Sequence, residues 1–310
     1  MLNQLLCERQ ESSTISNKLQ CAILGTGNIG TDLLIKVMRS NLLECTLFAG
    51  RNFRSEGMQK ATAVGVNISD KGINAIVDKA DVIDLVFDAT SAADHIEHWP
   101  VIEGLGKIAI DMTPAKLGSF CVPAINSQEI CGSGVRNINM ITCGGQASVP
   151  LAAAIAEVHA NIEYIETASS IASRSAGPAT RANLDEYIGT TEDGLLKFSG
   201  AEKAKAILIL NPATPPVDMQ TTVYAKIKNP DIVKINVSVN AMMLRINSYV
   251  PGYELLVPPT LINDDIVMMT VKVLGEGDYL PRYAGNLDII NCAAVGVAED
   301  MATNILGLMS

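Results

Sequence analysis

Leu19-Gln20-Cys21-Ala22-Ile23-Leu24-Gly25-Thr26-Gly27-Asn28-Ile29-Gly30-Thr31-Asp32-Leu33-Leu34-Ile35-Lys36-Val37-Met38-Arg39 is the stretch on which the reading of the fold turns. Leu19–Leu24 is a short apolar strand, and from Thr31 onward apolar residues recur at helical spacing. Between them Gly25, Gly27 and Gly30 complete a GxGxxG pattern, with Thr26, Asn28 and Ile29 at its variable positions. Set between a strand and a helix, this pattern is a phosphate-binding turn. Gly25 makes the tight turn, Gly27 lets a pyrophosphate approach the backbone, and Gly30 lets the helix lie close on the strand. A glycine-rich turn that binds nothing is the plainer alternative, and the flanking periodicity argues against it.

Working outward, Glu44–Gly50 reads as a second strand. A turn of this kind commonly has an acid there for the ribose hydroxyls of NAD; this chain has Arg51-Asn52-Phe53-Arg54. Arg51 and Arg54 suit the 2′-phosphate of NADP. As solvated charges, or with Arg51 stacked on adenine, they are equally compatible with NAD, so the local residues leave both cofactors open. Ala75–Ala80 reads as a helix and Val82–Asp88 as a strand, followed by Ala89-Thr90-Ser91 at the end where open parallel sheets bind ligands. His95 and His98 follow on a helix. No third metal ligand stands near them, and they read as a solvated face. Lys107–Met112 is a further strand ending in Thr113-Pro114, and Asn137–Thr142 the last or nearly last. Strands alternating with helices give an α/β doubly wound parallel sheet, a Rossmann domain.

That last strand runs into Cys143-Gly144-Gly145-Gln146-Ala147-Ser148-Val149-Pro150 and a helix-forming alanine-rich run. A cysteine where a strand turns into a helix faces free amides that favour an anion. The expectation is a lowered thiol pKa and a nucleophile, with the Gly144 and Gly145 amides free to hold an oxyanion. The plain alternative is a buried cysteine before a glycine-rich turn.

Beyond Pro150 the texture becomes that of an α+β domain. Ile162–Ile171 and Ile266–Val273 read as strands, and Val223–Ile227 and Ile232–Val239 alternate like antiparallel ones. Ala172–Asn183 is a small polar loop suited to a ligand, with an ordinary connector as the plain alternative. A helical run from Asn286 to Met309 is placed to return to the first domain. The expected divisions are a flexible tail at 1–18, a dinucleotide-binding domain at 19–142, a catalytic and dimerisation domain at 143–282, and a returning C-terminal helix at 283–310.

Composition narrows the function classes. The 310 residues are 48% hydrophobic, enough for a large core and two domains. The net charge of −10, without a basic block, disfavours nucleic acid and anionic membranes. No apolar run nears the roughly 20 residues of a membrane span, and the polar start lacks a signal-peptide core. Seven irregularly spaced cysteines (Cys7, Cys21, Cys45, Cys121, Cys131, Cys143, Cys292) with no CxxC fit a reducing cytoplasm and not a zinc knuckle.

Five ordered motifs, GTGNIGTDLLIKVMR, NMITCGGQASVP, SRSAGPATRANLDEY, LNPATPP and GDYLPRYAGNLDII, resemble acetaldehyde dehydrogenase (acetylating), the partner of 4-hydroxy-2-oxovalerate aldolase in aromatic meta-cleavage pathways. The resemblance covers nearly everything after the tail. It implies a Rossmann domain joined to a catalytic and dimerisation domain, in a homodimer that binds an aldolase-type partner. It implies the reaction aldehyde + CoA + NAD⁺ to acyl-CoA + NADH, with no metal. It makes Cys143 the nucleophile and sets Asn183 beside the substrate. It assigns dinucleotide contacts to Thr26–Ile29, to Ser175, Ala176, Gly177, Pro178, Ala179, Thr180, Arg181, Ala182 and Asn183, and to Asn286.

The chain departs from the family at two places. An Arg-Asp-Thr-Val sequence carries the family's proton-transfer acid, and Gln220-Thr221-Thr222-Val223 stands in its place. Thr221 replaces the aspartate, and Asp218 is the candidate substitute. The stretch from about Asn247 to Asp265 is also short, which bears on the partner surface. These departures keep two further readings open: a divergent member acting on another aldehyde, and a non-catalytic scaffold that retains the cofactor fold. Semialdehyde or glyceraldehyde-phosphate dehydrogenase chemistry would need an acid–base histidine, and His159, some four turns beyond Cys143, is badly placed for it.

Overall fold

A computed structural model describes residues 18–307; residues 1–17 of the expected tail, with Cys7, lie outside them. The first half alternates strands β1 (Leu19–Leu24), β2 (Leu43–Ala49), β3 (Ile68–Ser69), β4 (Leu85–Asp88), β5 (Ile108–Asp111), β6 (Ser119–Phe120) and β7 (Asn137–Asn139) with helices α1 (Asn28–Arg39), α2 (Glu56–Ala63), α3 (Ile73–Asp78), α4 (Ala92–Gly104) and α5 (Pro123–Ser133). The strands form one parallel sheet in the order β3-β2-β1-β4-β5-β7-β6. The order reverses between β1 and β4, so their C-terminal loops, Gly25–Gly27 and Ala89–Ser91, border the crevice of a doubly wound sheet.

The glycine turn closes as its spacing requires. Gly25 has φ +108°, a conformation that costs glycine little. A Cβ on Gly30 would lie 1.9 Å from the Gly25 carbonyl oxygen, whereas one on Gly27 would meet nothing within 4 Å.

The second half begins with α6 (Cys143–Ala156), continues through β8 (Ile162–Ala172), α7 (Pro178–Ala182), α8 (Leu184–Ser199), β9 (Ala204–Asn211), β10 (Met219–Ile227), α9 (Ile232–Asn247), β11 (Tyr253–Asn263) and β12 (Ile266–Val273), and ends in α10 (Gly285–Ile305). Its five strands form a mixed sheet in the order β11-β12-β10-β8-β9. Helix α6 is buried along nearly its whole length, apolar on every side, and is the axis on which this half is packed.

The expected strand at Ile232–Val239 is helix α9. Its β-branched residues mimic alternation, but the buried positions Ile235, Val239, Met242, Met243 and Ile246 follow the helical period. Asp231 caps the first turn by accepting from the Lys234 amide. Val233 and Val237, which a half-buried strand would cover, face outward.

Helix α10 returns to the first sheet and lies against α1. The buried Lys36 ammonium pairs with Asp288 at 2.8 Å and Glu276 at 3.1 Å, and Asn291 donates to Asp32 at 2.8 Å. Placing Asn286 at the start of α10 therefore brings it over the end of the parallel sheet.

Candidate active site

Strand β7 ends at Asn139 and α6 starts at Cys143, so Met140–Thr142 must turn sharply. Ile141 turns with φ +61°, a strained conformation for a β-branched residue. Asn139 Oδ1 holds it by accepting from the Ile141 amide at 2.8 Å. A Cβ on Gly145 would come within 2.5 Å of Ile141 Cγ2, so this glycine makes room for the turn.

The amides of the first helical turn are already committed. Gly145 N donates to Thr142 Oγ1 at 2.8 Å, the N-cap bond, and Gly144 N donates to Tyr187 Oη at 2.9 Å. The expectation that both amides stand free for an oxyanion is corrected accordingly. Gly144 is a glycine because a Cβ there would lie 2.2 Å from the Tyr187 oxygen.

Cys143 is 9% exposed, with Sγ 3.5 Å from Tyr187 Oη. Burial pushes its thiol above its ordinary pKa. The hydrogen bond with Tyr187 and the amides of Gly144 and of Cys143 itself oppose that rise without cancelling it. The expected lowering at a helix N-terminus is thus overturned in the free protein, because taking a thiolate out of water outweighs the partial charge of the helix end.

The thiol faces a cavity of about 70 Å³. Asn183, Thr180, Asn286, Ile29 and Tyr187 line it together with Cys143, and Met112, Ile141, Leu287 and Ile290 supply apolar walls. Thr90 and Ser91 line this cavity and also a cleft of about 640 Å³ bordered by Gly25, Thr26, Gly27 and Arg51. The two spaces meet at the β4–α4 loop.

The structure therefore gathers Cys143, Asn183, Ile29, Thr180 and Asn286 at one cavity, and Gly25, Thr26, Gly27 and Arg51 at the adjoining cleft. Asn28 is exposed at the start of α1, and Gly30 packs against Gly25. Thr180 and Asn183 apart, the polar loop folds on itself. Ser175 Oγ donates to the Ala172 carbonyl at 2.8 Å, and Arg181 bonds the carbonyls of Ser173 and Ala176. Gly177 and Ala182 are not in either lining, and the side chains of Pro178 and Ala179 lie outside the described residues.

Asp218 is outside the cavity lining as well. Along β10 the buried positions are Met219, Thr221, Val223 and Ala225. Successive residues of a strand face opposite ways, so an acid three positions before Thr221 is out of phase with it. Thr221 bonds Ser169 Oγ at 2.9 Å behind Gly144.

Beneath the two loops lies a cluster the sequence reading placed in solvent. His95 is fully buried, and its Nδ1 and that of His98 each lie 2.9 Å from Asp88 Oδ2. His95 Nε2 is 3.5 Å from Asp111 and 3.3 Å from Asn137. Burial works to raise the Asp88 carboxyl, but bonds from His95, His98 and Thr90 prevail and hold it at about 2. Burial pushes Asp111 up to about 6 against the attraction of His95 and the bonds from Thr113. Burial disfavours the His95 cation, yet Asp88 and Asp111 raise its pKa overall. The chain polarity of β4 and β5 carried no signal for this network, although Asp88 and Asp111 both end strands at the ligand edge. His159 is structural, its Nε2 accepting from the Asp231 amide at 2.9 Å.

Residues 143–281 match the family model described as prokaryotic acetaldehyde dehydrogenase, dimerisation. The chain is 64% identical to an acetaldehyde dehydrogenase of Pectobacterium atrosepticum, over 93% of this chain and 97% of that protein. It is 55% identical to one of Spirochaeta aurantia, over 92% and 95%. The chain belongs to the acetaldehyde dehydrogenase family. It is therefore an oxidoreductase carrying that family's dimerisation region. Similarity of fold alone extends to an aspartate semialdehyde dehydrogenase of Candida albicans, solved with NADP, at 12% identity and a TM-score of 0.65 over 93% of this chain and 99% of that one.

Among the described residues no group of three or more histidine, cysteine or acidic side chains is arranged to hold a metal. No helix among them is long and apolar enough to cross a membrane.

Proposed function

We propose that the protein converts a short aldehyde, CoA and NAD⁺ to acyl-CoA and NADH through a thioester on Cys143. The observation that carries this is the junction at Thr90–Ser91, where the cavity holding a buried thiol opens on the glycine-turn cleft.

The residues present fit a dinucleotide. The start of α1 has no side-chain cap, and open space faces Gly27, so amides and room are both offered to a pyrophosphate. Asn286 Oδ1 is buried without a hydrogen-bond partner; the carboxamide of a nicotinamide would give it a donor. A nicotinamide held beside Asn286 would supply the hydride acceptor. Cys143 Sγ adds to the carbonyl carbon to form a hemithioacetal, and Asn183, on the cavity wall, is placed to hold its oxygen. Loss of a hydride from its carbon and of the proton from its oxygen, the proton leaving to solvent through the adjoining cleft, would leave a thioester on Cys143. The CoA thiol would then displace the acyl group, its proton passing to the departing Cys143 sulfur, an exchange between like leaving groups. The apolar walls limit the water that would hydrolyse the thioester.

The choice of NAD over NADP rests on the resemblance. Arg51 stands 86% exposed, 4.0 Å from Asp94, and Asp70 and Lys71 border the cleft as a further pair of opposite charges, so the local charges do not single out a 2′-phosphate. The uncovered face of the mixed sheet, with Ile207 and Ile209 on β9 and Leu256 on β11 exposed, supports pairing of two subunits through this sheet. Association with a 4-hydroxy-2-oxovalerate aldolase-type partner rests on the resemblance.

The test is NADH formation from acetaldehyde and CoA. Cys143→Ala is expected to reduce it to background while dinucleotide binding, followed by fluorescence, persists; Cys131→Ala is expected to be mild. A parent protein inactive on every short aldehyde would favour the scaffold reading instead.

A further inference from the structure

The wall around Cys143 is devoid of charge. Among the described side chains that line its cavity, none is a carboxylate, an imidazole, an ammonium or a guanidinium, and the ionisable ones are Cys143 and Tyr187. An addition that moves a proton from sulfur to oxygen has no acid or base there except these two.

The hydrogen-bond pattern fixes how the phenol is used. Thr191 Oγ1 donates to the Tyr187 carbonyl at 2.7 Å, so at the 2.7 Å contact between Thr142 and Thr191 the proton comes from Thr142. Both hydroxyls are thereby committed. Tyr187 Oη accepts from the Gly144 amide and lies 3.5 Å from Cys143 Sγ; the Thr142 hydroxyl is also beside it, but its proton is given to Thr191. A hydroxyl has one proton and two acceptor positions. Oη thus retains one acceptor position for the thiol proton and one proton to give. Asn183 immediately precedes α8 and Tyr187 follows one helical turn later, and both side chains line the same cavity.

We infer that Tyr187 is a catalytic residue whose phenol carries the proton of the Cys143 thiol to the aldehyde oxygen as the carbon–sulfur bond forms. The S–H bond breaks and Oη takes that proton. The Oη–H bond breaks and the carbonyl oxygen takes the second proton, using the electron pair released from the C=O π bond as Sγ bonds to carbon. The phenol is regenerated, the hemithioacetal is neutral, and no unpaired charge is formed in a site that lacks a charged side chain to answer it. In the acyl-transfer half the same phenol passes the proton of the incoming CoA thiol to the departing Cys143 sulfur. Burial holds the Cys143 thiol above its ordinary pKa and, with the neighbouring thiol, the Tyr187 phenol well above its own. Both groups are therefore protonated at neutral pH, and the thiol proton has to be carried away during attack. Gly144 is part of the device, since a Cβ there would displace the phenol oxygen.

This rests on Cys143 being the nucleophile, and the test separates the two claims. kcat/KM for acetaldehyde is measured between about pH 6.5 and 9.5, with NAD and CoA saturating, in the parent, Cys143→Ala, Tyr187→Phe and a protein bearing 3-fluorotyrosine at position 187. The parent profile is expected to be flat near neutrality. Tyr187→Phe is expected to lose roughly 10²–10⁴-fold at pH 7, the range for lost acid–base help. That loss should shrink about tenfold per pH unit as hydroxide forms the thiolate directly. The more acidic fluorinated phenol keeps the packing and shifts the profile. Two results overturn Tyr187 while leaving the nucleophile standing: Tyr187→Phe within about threefold of the parent with Cys143→Ala inactive, or a pH-independent loss with an unchanged fluorotyrosine profile. Turnover by Cys143→Ala overturns both claims. If Tyr187→Phe does not fold, the fluorotyrosine profile decides, a shift supporting the inference and an unchanged profile overturning it.

Discussion

Two buried polar clusters sit side by side at the C-terminal edge of the parallel sheet, and they are built on opposite principles. Around Cys143 every partner is neutral: a phenol, backbone amides, hydroxyls and Asn183. Around Asp88 stand two imidazoles, a hydroxyl and, beyond His95, a second carboxyl, so that ionisable groups predominate. The clusters are joined through the cavity wall, because Thr90 bonds Asp88 and the Thr113 amide bonds Asp111 at 2.8 Å, while both threonines line the cavity that holds the thiol. A buried charge is tolerable when it is paired on every side, and such a network fixes the loops it touches. A reacting sulfur is better left neutral until substrate arrives, because a lone charge in the same place would have nothing to answer it. On the proposed function, the charged cluster holds the frame and the neutral one is left for chemistry.

Breaking the charged side should have the larger effect on stability. His95→Leu leaves Asp88 and Asp111 facing the space of the imidazole without its hydrogen bonds. The expected loss is about 3–5 kcal/mol, the cost of breaking a buried pair, read by urea denaturation. A loss under about 1 kcal/mol would mean that the cluster is not a frame. The same variant should also weaken turnover through displacement of Thr90 and Thr113, in contrast to a cavity substitution that leaves stability alone.

The pH dependence sharpens the contrast. Asp111, at about 6, and His95, above its ordinary value, both have raised folded pKa values. Their contribution to stability is therefore fully present below the unfolded values. It is lost as pH rises, through about 6 for Asp111 and beyond about 6.5 for His95. Asp88, held at about 2, contributes in the other sense and is lost only as pH falls toward that value. Unfolding free energy is expected to decline by about 1–3 kcal/mol between pH 5 and 8, and Asp111→Asn should flatten the decline. A parent stability that rises over this window, or a slope that Asp111→Asn leaves unchanged, would remove the cluster from the explanation.

The smallest effect is expected at Asp218. It lies outside the cavity lining and out of phase with Thr221 on β10. Asp218→Asn should change kcat/KM by less than about twofold and stability by less than about 0.5 kcal/mol, as for other substitutions away from special features. A hundredfold loss would show that this acid has taken over proton transfer and would break the picture of an uncharged site.

These regions also differ in how far the sequence discloses them. The turn from Gly25 to Gly30 and the junction at Cys143 are legible because strand, turn and helix signals agree within a dozen residues. Helix α9 is misread because Ile232, Val233, Ile235, Val237 and Val239 favour strands by residue type. Their burial follows the helical period only once α9 packs against α6 and β11. The charged cluster is hidden because His95 and His98 look solvated until α4 is laid on the sheet, where Asp88 waits at the end of β4. Tyr187 lies 44 residues from Cys143, and nothing in linear order joins them. The one local clue is its position one helical turn after Asn183. The free oxyanion amides expected at Gly144 and Gly145 fail for the same reason: a sequence names donors but not the acceptors that tertiary structure brings to them.

Trapping the acyl-enzyme tests the central claim most directly. The protein is incubated with acetaldehyde and NAD in the absence of CoA, quenched in acid, digested and analysed by mass spectrometry. The account predicts one acetyl group on the peptide carrying Cys143, sensitive to hydroxylamine and discharged when CoA is added before the quench. NADH formed without acetyl on Cys143, or acetyl on another cysteine that CoA discharges, would contradict it.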